Sequence, residues 1–181
     1  MRNSVRTLIF SGILSILVVA GLLIVNKSAA QQNRESAGGH GTLIVQDGSG
    51  RNVRRQFSFN ARRNADGTVT GHAVLHNPEF TGDNGRRYQA QFDISCMVVV
   101  GNTAILGGFA RRTNDPNLMD AAFFRVQDNG EPGKNRDMIS KVHFFDGNPG
   151  TTGDPSLCAY NDPFPMFPIE SGNIQVRSNT P

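Results

Sequence analysis

The feature that most constrains the fold is an alternation of apolar and polar residues with a period of two. The segment RRYQAQFDISC, residues 86–96, places Tyr88, Ala90, Phe92 and Ile94 at every second position. Successive side chains of a β-strand point to opposite faces, so this pattern predicts a strand with one buried face. After the N-terminal region, no segment of ten or more residues carries a helical period. The rest of the chain is therefore predicted to be β.

Comparable segments recur about eight times, separated by turn signals. Asp66-Gly67 and Gly101-Asn102 are typical of tight hairpin turns. Short strands joined by short turns predict an antiparallel all-β fold, which we expect to be a small closed or nearly closed barrel, with a β-sandwich as the alternative. The predicted core consists of Phe57, Phe59, Leu75, Phe92, Ile94, Val98, Ile105, Phe109, Phe124, Val126, Val142, Phe144 and Ile174.

The N-terminal region has the pattern of an export signal in bacterial style. Arg2 and Arg6 precede an uncharged apolar run of 18 residues, 8–25, and small residues follow at Ser28 and Ala30. We expect a signal peptide over 1–30, a disordered linker over 31–39 and a single β-domain over 40–181. The protein would then be secreted or periplasmic. The alternative is an uncleaved helix that anchors it in the membrane, because 18 apolar residues lie near the lower limit for a span.

The net charge of +3 comes from this leader, which holds three basic residues and no acidic one. The remaining chain has 15 basic and 15 acidic residues. A neutral domain gives no electrostatic support for nucleic-acid binding, so we do not expect a nucleic-acid partner.

Two cysteines, Cys96 and Cys158, are the full complement of the chain. In an oxidising compartment a disulfide between them is the expected state. It would close a loop that the chain-entropy model values at about 4 kcal/mol. The surrounding segment DPSLCAYNDPFPMFPIESG, residues 154–172, is interpreted as a lid over one end of the core, pinned to an inward-facing Cys96.

Several motifs resemble a group of small exported bacterial all-β domains of unknown function. They are V-x-G-N-x-A at 99–104, V-x-D-N-G-E-P-G at 126–133 and G-N-I-x-V at 172–176. The resemblance implies an exported β-domain over most of residues 40–178. It implies no activity, cofactor or catalytic residue.

The stretch RVQDNGEPGKNRDMIS, residues 125–140, concentrates side-chain oxygen atoms between two apolar runs. Asp128, Asn129, Glu131 and Asp137 could together bind calcium, the only cofactor that the sequence suggests. However, Asp128, Asn129 and Gly130 are adjacent, whereas the common calcium-loop motif spaces its ligands at alternate positions. We therefore interpret the stretch as a hairpin loop and keep the metal site as the alternative.

Arginine pairs recur at predicted strand ends. In an antiparallel sheet three of the four pairs would fall at the same end, where they could form an anion-binding rim. The alternative is local pairing with nearby carboxylates. The predicted rim consists of Arg54, Arg55, Arg86, Arg87, Arg111 and Arg112.

Catalytic patterns are absent from the sequence. His72 and His76 lie four apart on a predicted strand, about 13 Å, which is too far for two ligands of one zinc ion. No G-x-S-x-G or H-E-x-x-H motif occurs. We expect a non-catalytic surface, binding or interaction module, whose partner would be a small molecule, an anionic surface or a protein. The alternatives are an exported enzyme or isomerase acting in the barrel mouth, and a calcium-stabilised structural domain.

Overall fold

A computed structural model describes residues 34–81, 86–115, 118, 120–145, 158 and 165–179. This part of the chain is all-β and contains no helix. Its ten strands are β1 (Ser36–Gln46), β2 (Asn52–Arg63), β3 (Val69–Thr81), β4 (Arg87–Val100), β5 (Thr103–Thr113), β6 (Ala121–Gln127), β7 (Met138–Ser140), β8 (His143–Phe145), β9 (Met166–Pro168) and β10 (Ser171–Arg177).

All strand pairs are antiparallel, in the order β10-β1-β2-β3-β4-β5-β6-β7-β9, and β8 also pairs with β6. The sheet curls into a half-barrel, which confirms the predicted all-β, barrel-like fold. Three differences are small. Residues 139–145, predicted as one strand, are divided between β7 and β8, and β9 lies within the predicted lid. β1 begins at Ser36, inside the predicted linker. The predicted signal peptide lies outside the described residues.

The concave side of the sheet is filled with side chains. Phe59 packs edge to face on Phe124 with ring centroids 5.4 Å apart, and Phe92 packs on Phe144 at 5.8 Å. The cavity that Phe59, Phe92, Phe124 and Ile139 help to line is about 20 Å³, close to what one water molecule needs. In the described part of the chain the interior is therefore a packed core rather than a ligand cavity.

Three predicted core residues are not in this core. Val98 is 36% exposed because the β4–β5 register shifts between Ile94 and Cys96, and such a bulge reverses which side chains point inward. Met97 takes the inward position. The prediction for Ile105 and Phe109 is wrong for another reason. Both faces of β5 are apolar between Ala104 and Phe109, and its pairing turns Ala104, Leu106 and Gly108 inward. The other predicted core residues belong to the core or pack against it.

The disulfide between Cys96 and Cys158 is confirmed, with Cα atoms 5.8 Å apart. It packs with Phe123 in a small separate cluster. The prediction that Cys96 faces inward is wrong, because Met97 occupies the core beside it and neighbouring strand residues face opposite sides. Gly107 makes room here, since a Cβ would lie 2.6 Å from the Phe123 ring. Most of the predicted lid lies outside the described residues.

Candidate functional site

The loop between β6 and β7, residues 128–137, lies against the edge of β10 that does not pair with β1. Asp137 is fully buried, and its Oδ1 accepts a hydrogen bond from Asn129 N at 2.8 Å while its Oδ2 accepts one from Ile174 N at 2.7 Å. Asp128 Oδ2 accepts from Val176 N at 3.1 Å. Two carboxylates thus satisfy backbone donors that a neighbouring strand would otherwise pair.

The other two predicted metal ligands lie in the same network. Glu131 Oε1 accepts hydrogen bonds from Asn173 Nδ2 at 2.7 Å and Gln175 Nε2 at 3.3 Å. Asn129 Nδ2 donates to Arg136 O at 2.7 Å. The structure brings the four predicted ligands together, but the carboxylates accept hydrogen bonds from N–H groups. Within residues 34–179 as described, no group of three His, Cys, Asp or Glu side chains is placed to hold a metal ion.

Backbone hydrogen bonds fix the same loop to the corner between β9 and β10. Asn135 N donates to Ile169 O at 2.8 Å, and Ile169 N donates to Asp137 O at 3.0 Å. Glu170 N then donates to Thr42 O of β1 at 2.8 Å. The acidic loop therefore joins the last strands of the sheet to the first ones.

The predicted arginine rim is divided between the two faces of the sheet. The three pairs do lie at the same end of the strands, since Thr81 pairs with Arg87 and Gln91 pairs with Arg112. Arg54 is exposed and lies 3.5 Å from the Glu170 carboxylate, whereas Arg55 alternates with buried Val53 and Phe57 and points inward. Adjacent residues of a regular strand face opposite sides, which separates Arg54 from Arg55. The register shift between Gln91 and Phe92 instead leaves Arg111 and Arg112 on the same outer face.

Arg55 and Tyr88 form the polar inner edge at this end of the half-barrel. Burial lowers the pKa of Arg55, and the nearby Tyr88 opposes this shift. Burial also raises the pKa of the Tyr88 phenol, with a further contribution from the charge of Asp115. Both shifts follow from loss of water around the charged form. The described part of the chain leaves Arg55 Nε and Asn77 Oδ1 buried without a hydrogen-bond partner.

On the outer face, three of the six arginines line one cleft of about 320 Å³, which we call the arginine cleft. Its walls come from the start of β4 and the end of β5. No described carboxylate lies within ion-pair distance of Arg87 or Arg112, whereas Arg111 points elsewhere, to Asp93 at 3.5 Å. The lining residues are Arg86, Arg87, Gln89, Gln91, Arg112, Thr113 and Asn114.

Two further clefts continue from the arginine cleft across the outer face of β2 to β5. The first, about 380 Å³, includes His72, Asp93 and Arg111 and shares Gln91 with the arginine cleft. The second, about 350 Å³, is lined by Asn60, Ala61, Arg62, Thr70 and Gly71. The three adjoining clefts form what we call the outer band.

The histidines do not converge on this band as a metal site. His72 and His76 both lie on the outer face of β3, and each pairs with a different residue of β2. His72 Nε2 lies 3.5 Å from Asn60 Nδ2. The glutamines of the band were missed in the sequence analysis, although the alternation that places Tyr88 inward also places Gln89 and Gln91 outward.

Comparison with protein-family models, curated proteins and solved structures finds no match to this chain. Among the described residues no helix is both long and apolar enough to cross a membrane.

Proposed function

We propose that this chain is an exported, non-catalytic binding module that uses the outer band as its ligand surface. The observation that carries the proposal is the contrast between the two faces of the sheet. The cavity among Phe59, Phe92 and Phe124 on the concave face is only about 20 Å³, whereas the convex face carries three adjoining clefts of 320 to 380 Å³. A binding protein needs accessible concave surface with a few polar groups, and the three clefts of the convex face offer it.

Polar side chains from four strands line the outer band. Register places Asn60, His72 and Asp93 in one row across β2, β3 and β4. Side chains that stand on paired strands have a fixed spacing, which reduces the entropy lost on binding. The band is therefore suited to a polar partner recognised through several hydrogen bonds.

Chemical-shift mapping tests the proposal directly. Soluble anionic, sugar and peptide fragments are titrated into the full ¹⁵N-labelled chain. We expect shifts at outward residues such as Ser58, His72 and Gln91. Shifts confined to Phe59 and Phe124 would contradict the proposal.

A matched pair of variants sharpens this test. Gln91 lines two of the clefts, so the larger side chain of Gln91→Trp should obstruct both of them. The chemical-shift changes caused by the fragments should then disappear. Val100→Trp, at an exposed position at the far end of β4, should leave them unchanged. Shifts centred on Arg55 and Tyr88 instead would favour the alternative, an enzyme or isomerase that uses the barrel mouth.

Export is tested separately by sequencing the N-terminus of protein recovered outside the cytoplasm. Cleavage after Ala30 would leave Gln31 as the first residue. An intact N-terminal segment in the membrane fraction would instead favour the anchored form.

A further inference from the structure

The outer face of the sheet carries one continuous row of side chains across four strands. Asn60 of β2 lies opposite His72 of β3, which lies opposite Asp93 of β4. Asp93 in turn lies opposite Phe109 of β5, and all four residues are exposed. Neighbouring strands are about 4.8 Å apart, so the row is roughly 14 Å long. A ligand that follows the row would lie across the strands and contact each of them.

Phe109 gives this row an aromatic end. Its side chain is 41% exposed. Its strand partner Asp93 lines the cleft of about 380 Å³ to which His72, Gln91 and Arg111 also contribute, and which we call the central cleft. A single exposed apolar side chain is common on protein surfaces, but this ring adjoins groups that form hydrogen bonds. A flat ring beside polar groups suits a ligand that has both an apolar face and a polar rim.

The central cleft contains one charged group of each sign. Among its lining residues Asp93 supplies the only carboxylate and Arg111 the only guanidinium, and Nη1 of Arg111 lies 3.5 Å from Oδ1 of Asp93. A carboxylate repels anions and a guanidinium repels cations, so the pair disfavours an ion of either sign. The central cleft therefore favours a neutral ligand.

The hydrogen-bonding groups of the row match hydroxyl groups. A hydroxyl donates one hydrogen bond and accepts up to two. Asn60 and Gln91 carry amides that both donate and accept, and a neutral imidazole such as that of His72 supplies one of each. Nδ2 of Asn60 lies 3.5 Å from Nε2 of His72, so neighbouring groups of the row can contact adjacent hydroxyls of one ligand. This mixture of donors and acceptors favours a ligand with several hydroxyls over one with a single ionised group.

Irregular pairing between β4 and β5 produces this arrangement. Register shifts occur on both sides of Asp93, and in one of them the register passes over Arg111, which is the additional residue of a bulge. Regular alternation from the outward Arg112 would direct Arg111 to the inner face. The bulge instead brings its guanidinium to Asp93 on the outer face. Bulges re-aim side chains in this way and are over-represented next to active sites.

A peptide ligand would require different features. Strand addition needs an unpaired sheet edge, whereas β2, β3, β4 and β5 each pair with a neighbour on both sides. A helical peptide needs an apolar groove for its anchor side chains, whereas polar side chains from β3, β4 and β5 line the central cleft. The surface therefore favours a polyhydroxy ligand over a peptide.

We propose that the central cleft and Phe109 bind a neutral glycan whose chain runs across β2 to β5. The inference rests on the proposed function and assigns a ligand class to the same outer band. A sugar ring carries hydroxyls on its rim and C–H groups on its faces, so the Phe109 ring stacks on one such face. Asn60, His72 and Asp93 bind the hydroxyls of successive sugar units, whose repeat is similar to the spacing between strands.

Titration of the full ¹⁵N-labelled chain with cellohexaose, chitohexaose and mannohexaose, all neutral, tests this assignment. Hexagalacturonate, which carries a carboxylate on every unit, is the anionic counterpart. We expect saturable shifts at His72, Gln91 and Asp93 with at least one neutral hexasaccharide, a dissociation constant on the order of 1 mM and weaker binding of hexagalacturonate at the central cleft. Because the ligand is uncharged, high salt should change this affinity by less than about twofold.

Variants of the row separate the contribution of the ring from that of the polar groups. Phe109→Ala should weaken binding about tenfold, whereas Phe109→Tyr keeps the aromatic face and should change it less than about threefold. Asn60→Ala, at the other end of the row, should weaken binding about threefold or more. Val100→Ala shortens an exposed apolar side chain outside the row and should change it less than about twofold. Circular dichroism establishes that each variant is folded.

Three outcomes would overturn the inference: no binding of any neutral hexasaccharide, tighter binding of hexagalacturonate than of all three at the central cleft, or equal losses in Val100→Ala and Phe109→Ala. If peptide or anionic fragments shift the outer band and no neutral hexasaccharide does, the glycan assignment fails and the proposed function stands. If a hexasaccharide shifts only Arg55 and Tyr88 in the mouth, the proposed function fails as well.

Discussion

The acidic loop and the arginine cleft are both charged, yet they use charge in opposite ways. In the loop, Asp128 and Asp137 direct their oxygens at backbone N–H groups of β10 and at the loop itself. In the cleft, Arg87 and Arg112 have no described carboxylate partner and face outward. The comparison indicates that charges satisfied by the main chain hold the fold together, while charges without an internal partner are available to a ligand.

The largest expected effect comes from Asp137→Ala. The substitution leaves the N–H groups of Asn129 and Ile174 without an acceptor, and each such buried donor costs on the order of 1–3 kcal/mol. We expect the free energy of unfolding to fall by about 4 kcal/mol. Urea denaturation followed by circular dichroism measures this.

Asp137→Asn is the matched control, since it keeps the shape and one acceptor oxygen. About half of the loss is expected there. If Asp137→Ala unfolds at the same urea concentration as the parent chain, the loop carboxylates do not stabilise β10. The statement that they hold the fold together would then be wrong.

A smaller effect is expected from Gly133→Ala. A Cβ at this position would lie 2.8 Å from Cγ of Asp137 and against Oδ1 of Asn173. Crowding the carboxylate should lower the free energy of unfolding by about 2 kcal/mol.

Gly48→Ala is the corresponding control, because nothing lies within 4 Å of its Cβ position. Its unfolding free energy should stay within about 0.5 kcal/mol of the parent value. Equal losses in the two variants would mean that glycine flexibility, and not space beside Asp137, explains the effect.

Removing charge from the cleft should change stability much less. The double substitution Arg87→Gln and Arg112→Gln breaks no described ion pair and relieves repulsion, so the free energy of unfolding should stay within about 0.5 kcal/mol. The same urea denaturation applies. A loss as large as that of Asp137→Ala would make the arginines structural and remove the contrast between the two regions.

The smallest effect is expected from calcium. Because the loop carboxylates already accept N–H hydrogen bonds, neither calcium nor a chelator should move the thermal midpoint. Differential scanning fluorimetry of the full chain compares the two conditions. A midpoint raised by calcium and lowered by the chelator would restore the metal site at Asp128, Asn129, Glu131 and Asp137.

The fold could be predicted because alternation reports directly on strands with one buried face. The inward face of β4 was predicted as far as Ile94. Beyond Ile94, a single bulge exchanged the residues that face inward with those that face outward. No local sequence signal marked that position. In β5 both faces are apolar, so only pairing with neighbouring strands could decide which side chains are buried.

The two candidate sites were likewise predicted only where local sequence patterns were sufficient. The spacing around Gly130 predicted a hairpin loop, but its contact with β10 joins residues about 40 positions apart in the chain. The arginine pairs predicted the correct end of the sheet. The separation of Arg54 from Arg55 follows from strand geometry alone, and alternation would have predicted it. That Arg111 and Arg112 share the outer face depends on a register shift that the sequence does not mark.

The pairing of β1 with β10 has a practical consequence for attachment. Ser36 lies opposite Arg177, so the chain enters and leaves the sheet at neighbouring points. This is the end remote from Arg87, roughly 26 Å away along the strands. A tag, tether or second domain fused before Ser36 or after Arg177 would therefore leave the arginine cleft unobstructed. Immobilised through a tether that begins at Ser36 or at Arg177, the domain would present that cleft to the solution.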